Sequence, residues 1–161
     1  STKWLKEIRV LPEPYRGAYM DGSYRIPSSS IVPGEKMPEG SISAEAWPVK
    51  SIITSPAPNT KFKLGETIIF EGKAGENRVN QVKISMDEGL TWFSAWLGPR
   101  SDKYAWRPFS FEWRADRIGY VTCIARARDN EDNVQPIVAA WNPLGYFWNG
   151  VHRVGVVIDP A

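Results

Sequence analysis

Apolar and polar residues alternate with a period of two over much of the chain beyond residue 48, the pattern of half-buried strands. Val79, Gln81, Lys83 and Ser85 alternate with Asn80, Val82, Ile84 and Met86. Trp106, Pro108, Ser110 and Glu112 oppose Arg107, Phe109, Phe111 and Trp113. Between 119 and 128, Tyr120, Thr122, Ile124 and Arg126 share one face, and Val121, Cys123, Ala125 and Ala127 the other. Val49 to Thr54 is β-branched and stops at Ser55 and Pro56, and Phe62 to Phe70 alternates loosely around Gly65 and Glu66. Thr91 to Leu97 follows a turn, and 151–158 reads as the last strand. No stretch carries a helical apolar stripe of useful length. About seven strands separated by turns predict an all-β fold, an immunoglobulin-like β-sandwich over 49–161.

The first 48 residues differ. Lys3 to Leu11 reads as a strand ended by Pro12 and Pro14. Residues 28–48 are poor in large apolar side chains and rich in Ser, Pro, Gly and Glu, which predicts an extended linker. The expected organisation is an N-terminal extended appendage over 1–27, a linker over 28–48 and the sandwich over 49–161.

Composition narrows the partners. The chain has 161 residues and 42% hydrophobic content, enough for one core. A formal charge of +2 is too small to argue for nucleic acid. No apolar run approaches the roughly 18 residues of a membrane-spanning helix, so no membrane partner is expected. No leader-like segment is read, and the chain fits a mature or trimmed product. Eight tryptophans favour a sandwich core and a protein interface.

Few residues carry candidate chemistry. Ser85, Asp87, Gly89, Thr91 and Trp92 fit S-x-D-x-G-x-T-W, a hairpin in which Asp87 accepts backbone N–H bonds and Gly89 takes a positive φ. Single copies of such Asp-boxes are structural, whereas a propeller repeats its motif. His152 is the only histidine, with no metal-ligand cluster near it in sequence, so it is expected to pack or hydrogen-bond at a strand end. Cys123, the only cysteine, cannot form an intrachain disulfide, and its place on a face of small apolar residues predicts an inert thiol. No metal site is expected. Tyr104, Trp106, Phe109, Phe111, Trp113, Trp141, Tyr146, Phe147 and Trp148 suit either a sugar-stacking platform or a core and interface. Tyr146, Phe147 and Trp148 cannot all point inward from an extended chain.

Several ordered motifs resemble the C-terminal dimerisation domain of the sulfite oxidase family of molybdopterin enzymes. Val49 to Pro56 resembles its first strand, Gly65 to Gly72 its second, and Val82 to Trp92 its "V-x-V-S-x-D-x-G-x-T-W" hairpin. Ala105-Trp106, Ala125 to Asp129, Asn133 to Pro136 and Trp141 to Arg153 follow in family order. Lys3-Trp4-Leu5 resembles the "V-K-W-L" near the end of the molybdopterin domain, where the lysine approaches the pterin. Tyr24-Arg25 falls at the family's "Y-K", whose tyrosine sits beside molybdenum. Two departures stand out. Lys73 to Glu76 replaces "A-W-S-G-G", and Asn142 to Gly145 places Leu144 where animal-type enzymes have an anion-binding arginine.

The resemblance implies the homodimerisation domain of a sulfite oxidase- or dehydrogenase-like enzyme that transfers oxygen to an oxyanion. By that resemblance Lys3 is a cofactor-binding position and Tyr24 a catalytic one, both in the parent enzyme only. Molybdopterin-molybdenum is expected in the parent and no cofactor on this chain alone, which is expected to be inactive in isolation. Interface candidates are Tyr146, Phe147, Trp148, Asn133 and Gln135. Expected partners are a second copy, a catalytic molybdopterin domain or subunit, and a cytochrome electron acceptor. Resemblance to bacterial sulfite dehydrogenases implies a periplasmic or exported location. The alternative from another class is a carbohydrate-binding or adhesion-type immunoglobulin-like module.

Overall fold

The computed structural model describes residues 3–44, 47–75, 78–102 and 105–161. Two compact units divide the chain: Ser1–Glu45 with Trp141–Tyr146, and Ala46–Ala140 with Phe147–Ala161.

The second unit is the sandwich. Its strands are β3 (Lys50–Ser55), β4 (Lys61–Lys63), β5 (Thr67–Gly75), β6 (Val79–Ser85), β7 (Phe93–Ser94), β8 (Trp96–Leu97), β9 (Arg107–Arg114), β10 (Gly119–Asp129) and β11 (His152–Asp159). One sheet runs β3-β5-β9-β8 and the other β4-β11-β10-β6-β7. All pairings are antiparallel except β4 with β11. The four-stranded order corresponds to A-B-E-D of an immunoglobulin domain, and β6-β10-β11 to C-F-G. The expected all-β, immunoglobulin-like fold is what the chain adopts.

Alternation builds the core. Val82 and Ile84, Ile68 and Phe70, Phe109 and Trp113, Val121 and Cys123, and Val154, Val156 and Ile158 all point between the sheets. Each buried Val, Ile or Phe contributes about 1.5–3 kcal/mol. Phe109 fits only because Gly72, opposite it on β5, has no side chain: an added Cβ there would collide with its ring. The expected strand 62–70 is two strands in different sheets. Gly65, at φ +88°, turns the chain between them, and its N–H donates to Ala115 O at 2.9 Å. The expected strand 91–97 also divides, with β7 on one sheet and β8 on the other.

The first unit holds β1 (Arg25–Ile26) and β2 (Ile42–Ser43), an antiparallel pair, and a π-helical turn at Tyr19–Ser23. Arg25 ties the pair together: its guanidinium donates to Ser41 Oγ (2.8 Å), Ser41 O and Met20 O (3.3 Å). Part of the stretch expected as linker is therefore the return limb of a hairpin. Lys3 to Leu11 is not a strand. Among the described residues it has no pairing partner, and its apolar side chains stand exposed, Trp4 at 93% and Val10 at 97%.

Candidate functional site

In the second unit, Phe147 takes φ +56°, a left-handed conformation that L side chains rarely adopt, and so turns the chain ahead of β11. Its ring packs on Trp47, centroids 5.4 Å apart at 58°. The Lys50 ammonium sits 5.5 Å from the centre of the Trp148 ring and donates to Trp148 O at 3.1 Å. With Pro48, Ile52 and Trp106 these residues line a groove of about 360 Å³. Trp148 is exposed. The groove offers indole faces and one cation, which suits an apolar or aromatic side chain of a partner. It holds no nucleophile paired with a base.

Behind the groove, the open edge of β3 is sealed by side chains from the loops around β10 and β11. Gln135 Oε1 accepts from Ser51 N (3.0 Å), Ser51 Oγ (2.6 Å) and Ala127 N (3.1 Å), while its Nε2 donates to Gly150 O (3.1 Å). His152 Nδ1 accepts from Ile53 N at 3.0 Å, which puts the ring proton on Nε2. Asn149 Nδ2 donates to Val49 O at 3.3 Å. Unpaired edge groups are a template for foreign strands, and these amides and the imidazole occupy them. Burial first, then the Lys50 charge, lowers the His152 pKa.

Gln135 is 0% exposed, so its side chain has no surface to give a partner. The expectation that Gln135 serves an interface is corrected: its side chain joins the two sheets within one subunit. Asn133 is exposed. Its N–H and its Nδ2 both donate to the buried Asp129 carboxylate, at 2.9 Å each, and so shape the 130–136 loop.

The Asp-box forms the hairpin read from the sequence. Asp87 accepts from Thr91 Oγ1 (2.5 Å), Thr91 N (2.8 Å) and Ser85 Oγ (2.8 Å). These donors, led by the Thr91 hydroxyl, bring its pKa down to about 2. Trp92 Nε1 donates to Gly89 O at 3.0 Å, and the Arg126 guanidinium lies 5.7 Å from the Trp92 ring.

In the first unit, Tyr24 stacks on Tyr146 at 5.4 Å and 28°, with Tyr19 tilted against it at 6.1 Å. Asn142 fixes Tyr146: its Oδ1 accepts from Tyr146 N (3.0 Å) and its Nδ2 donates to Tyr146 O (2.8 Å). Lys3 is exposed. Cys123 is buried, and burial pushes its thiol up to about 12, so it stays protonated. Among the described residues no three His, Cys, Asp or Glu side chains group as metal ligands.

Of the two alternatives for the aromatics, a stacking platform or a core and interface, the second unit fills its core with some of them. Phe109 and Trp113 belong to the core, Trp106, Phe147 and Trp148 to the groove, and Trp141 and Tyr146 to the first unit. Tyr104, and Glu76 of the divergent motif, lie outside the described residues. Sequence reasoning missed Trp47 and Lys50. Trp47 sits in the low-complexity stretch and Lys50 reads as an ordinary strand lysine, so neither carries a local signal.

A family model described as "Mo-co oxidoreductase dimerisation domain" matches residues 42–159. The chain belongs to this family of dimerisation domains. Rat mitochondrial sulfite oxidase is 32% identical over 98% of the chain and 31% of its own length. Arabidopsis thaliana sulfite oxidase is 30% identical over 96% of the chain and 42% of its own length. The chain thus spans well under half of these relatives. The sulfane dehydrogenase SoxCD of Paracoccus pantotrophus superimposes with a TM-score of 0.65 at 22% identity, over 86% of this chain and 36% of that one, and shares the fold. This is the dimerisation domain of sulfite oxidase-family enzymes.

Proposed function

We propose that the chain is the homodimerising end of a molybdenum oxidoreductase of sulfite oxidase type, with two subunits joined through their sandwiches. The observation that carries this reading is the family match over 42–159. The first unit supports it from another side. Trp4, Leu5, Ile8, Val10, Leu11, Tyr15 and Tyr19 are all exposed, more apolar surface than a short segment keeps in water without a covering partner. A catalytic molybdopterin domain is that partner.

The donor set on this chain does not fit molybdenum. Cys123 is a buried, protonated thiol, and no other grouping of ligands is present among the described residues. The metal and pterin belong to the rest of the enzyme, with Lys3 and Tyr24 reaching toward them by their place in the family motifs. Tyr24 is held from behind by Tyr146, which would fix its ring for such a role. Leu144 supplies no charge for an oxyanion, so a substrate anion would find its cation elsewhere. The electron acceptor in this reading is a cytochrome and the location periplasmic or exported.

The test is turnover by the purified chain alone. Sulfite-dependent reduction of an acceptor should not exceed a heat-killed control. Activity above that control would overturn the reading of a pairing domain without its own catalysis.

A further inference from the structure

The two outer faces of the sandwich carry different charge. On the five-stranded sheet, the strand register places Lys61, Lys63, Lys83, Arg126 and Arg153 outward, with Asp159 paired to Lys63. Two copies meeting there would set cation against cation, which costs several kcal/mol. The outer face of the four-stranded sheet is mixed. Ile52, Lys73 and Pro108 form one row across it, Glu71, Ser110 and Trp96 the next, and Ile69 and Glu112 the one after. Trp96 is 62% exposed and Ile69 50%. Ile52 and Lys50 also line the Trp148 groove, so groove and face are one continuous surface.

Glu71 and Lys73 lie two residues apart on β5, an inner strand of that sheet. Both are exposed, and neither side chain makes a hydrogen bond or ion pair among the described residues. Residues i and i+2 share a face about 7 Å apart. Opposite charges at that spacing are the smallest self-complementary pattern for an isologous interface: a two-fold axis crossing the strand between them sets each against its opposite on the other copy. β3, β5, β9 and β8 contribute 6, 9, 8 and 2 residues, which at about 3.4 Å per residue and about 4.8 Å between strands give a footprint of roughly 400 Å². That is about half of the about 800 Å² per partner of a standard interface, and the adjoining groove extends it.

We propose that the outer face of the four-stranded sheet is where two copies of this chain pair, on a two-fold axis crossing β5 between Glu71 and Lys73. The proposal rests on the chain being a dimerisation domain and adds which face pairs and in what register. Lys73 of each copy meets Glu71 of the other, and the groove around Trp148 extends the contact.

Sedimentation velocity on the full chain and two charge-reversed variants tests this. Lys73→Glu makes the pair wholly acidic and Glu71→Lys wholly basic. Each alone should raise the dimer dissociation constant about tenfold or more, because both facing pairs turn repulsive. An equimolar mixture of the two should dimerise as the unaltered chain does, since every acid again faces a base. Lys83→Glu on the opposite face should change nothing, and circular dichroism should confirm that all variants fold. Unchanged dissociation constants in both variants, or a mixture that fails to recover, would overturn the face or the axis while leaving dimerisation standing. An unaltered chain that stays monomeric would instead remove the dimerisation reading, and this proposal with it.

Discussion

Gln135→Met is the sharpest test of how the two sheets are joined. The Gln135 amide accepts from Ser51 N and Ala127 N and donates to Gly150 O, linking β3, β10 and the start of β11 in a space closed to solvent. Methionine nearly matches glutamine in length and volume, so little cavity or overpacking is added. What changes is that three buried backbone groups lose this partner. At about 1–3 kcal/mol for each unsatisfied group, the expected loss is at least about 3 kcal/mol. That is a large part of the about 5–15 kcal/mol that holds a typical domain together. For a chain of this size it corresponds to a fall in Tm of about 6–12 °C. Urea titration followed by tryptophan fluorescence should show a lower midpoint with an unchanged slope. Gln135→Glu adds a pH signature. Burial raises a carboxyl's folded pKa above its unfolded value of about 4.3, so this variant is most stable at or below that pH and loses stability as pH rises toward the folded value. Protonated, it can donate to Gly150 O as the amide does. A loss under about 1 kcal/mol for Gln135→Met, or no pH dependence for Gln135→Glu relative to the parent, would refute the bridging role.

Other perturbations follow from the same geometry. His152 must be neutral to accept from Ile53 N, and its folded pKa is lowered. The stability it supports is present above about pH 6.5 and is lost as pH falls from there toward the folded value, so Tm should drop between pH 7.5 and 5.5 and His152→Leu should flatten that step. Asp87, held at about 2 by its Thr91 and Ser85 donors, supports the hairpin above its unfolded pKa of about 3.8 and loses that contribution as pH falls through 2; carboxyl NMR titration with a midpoint near 3.8 would contradict this. Cys123, pushed up to about 12 by burial, should resist a thiol reagent at pH 8 in the native chain and react fully in denaturant. Trp148→Ala should weaken dimerisation by about 1–3 kcal/mol, and an unchanged dissociation constant would remove Trp148 from the interface.

Strands with strict alternation were legible because their partners on both sides impose the same period. Gly119 to Arg128 and Gln81 to Ile84 keep their faces in the fold as in the sequence, whereas Val79, expected opposite Val82 and Ile84, joins them in the core where the register shifts at Arg128 and Asp129. Boundaries failed where tertiary geometry overrides local pattern. Gly65 divides one apparent strand between sheets, and β7 and β8 part because each serves a different edge. Lys3 to Leu11 has strand composition but no strand beside it among the described residues, and a lone strand leaves its backbone bonds unmade. The sequence placed Gln135 in a functional loop but did not show its direction. Whether a loop amide faces solvent or closes a sheet edge 84 residues away depends on packing that no local spacing encodes. Phe147 is similar: the crowding of Tyr146 to Trp148 was visible, while the positive φ that separates them was not.

The central claim is that this chain pairs with itself, and its solution mass tests that most directly. Light scattering across a concentration series should give a mass near twice 18.2 kDa that falls toward the single value on dilution. A mass of 18.2 kDa at every concentration would contradict the account.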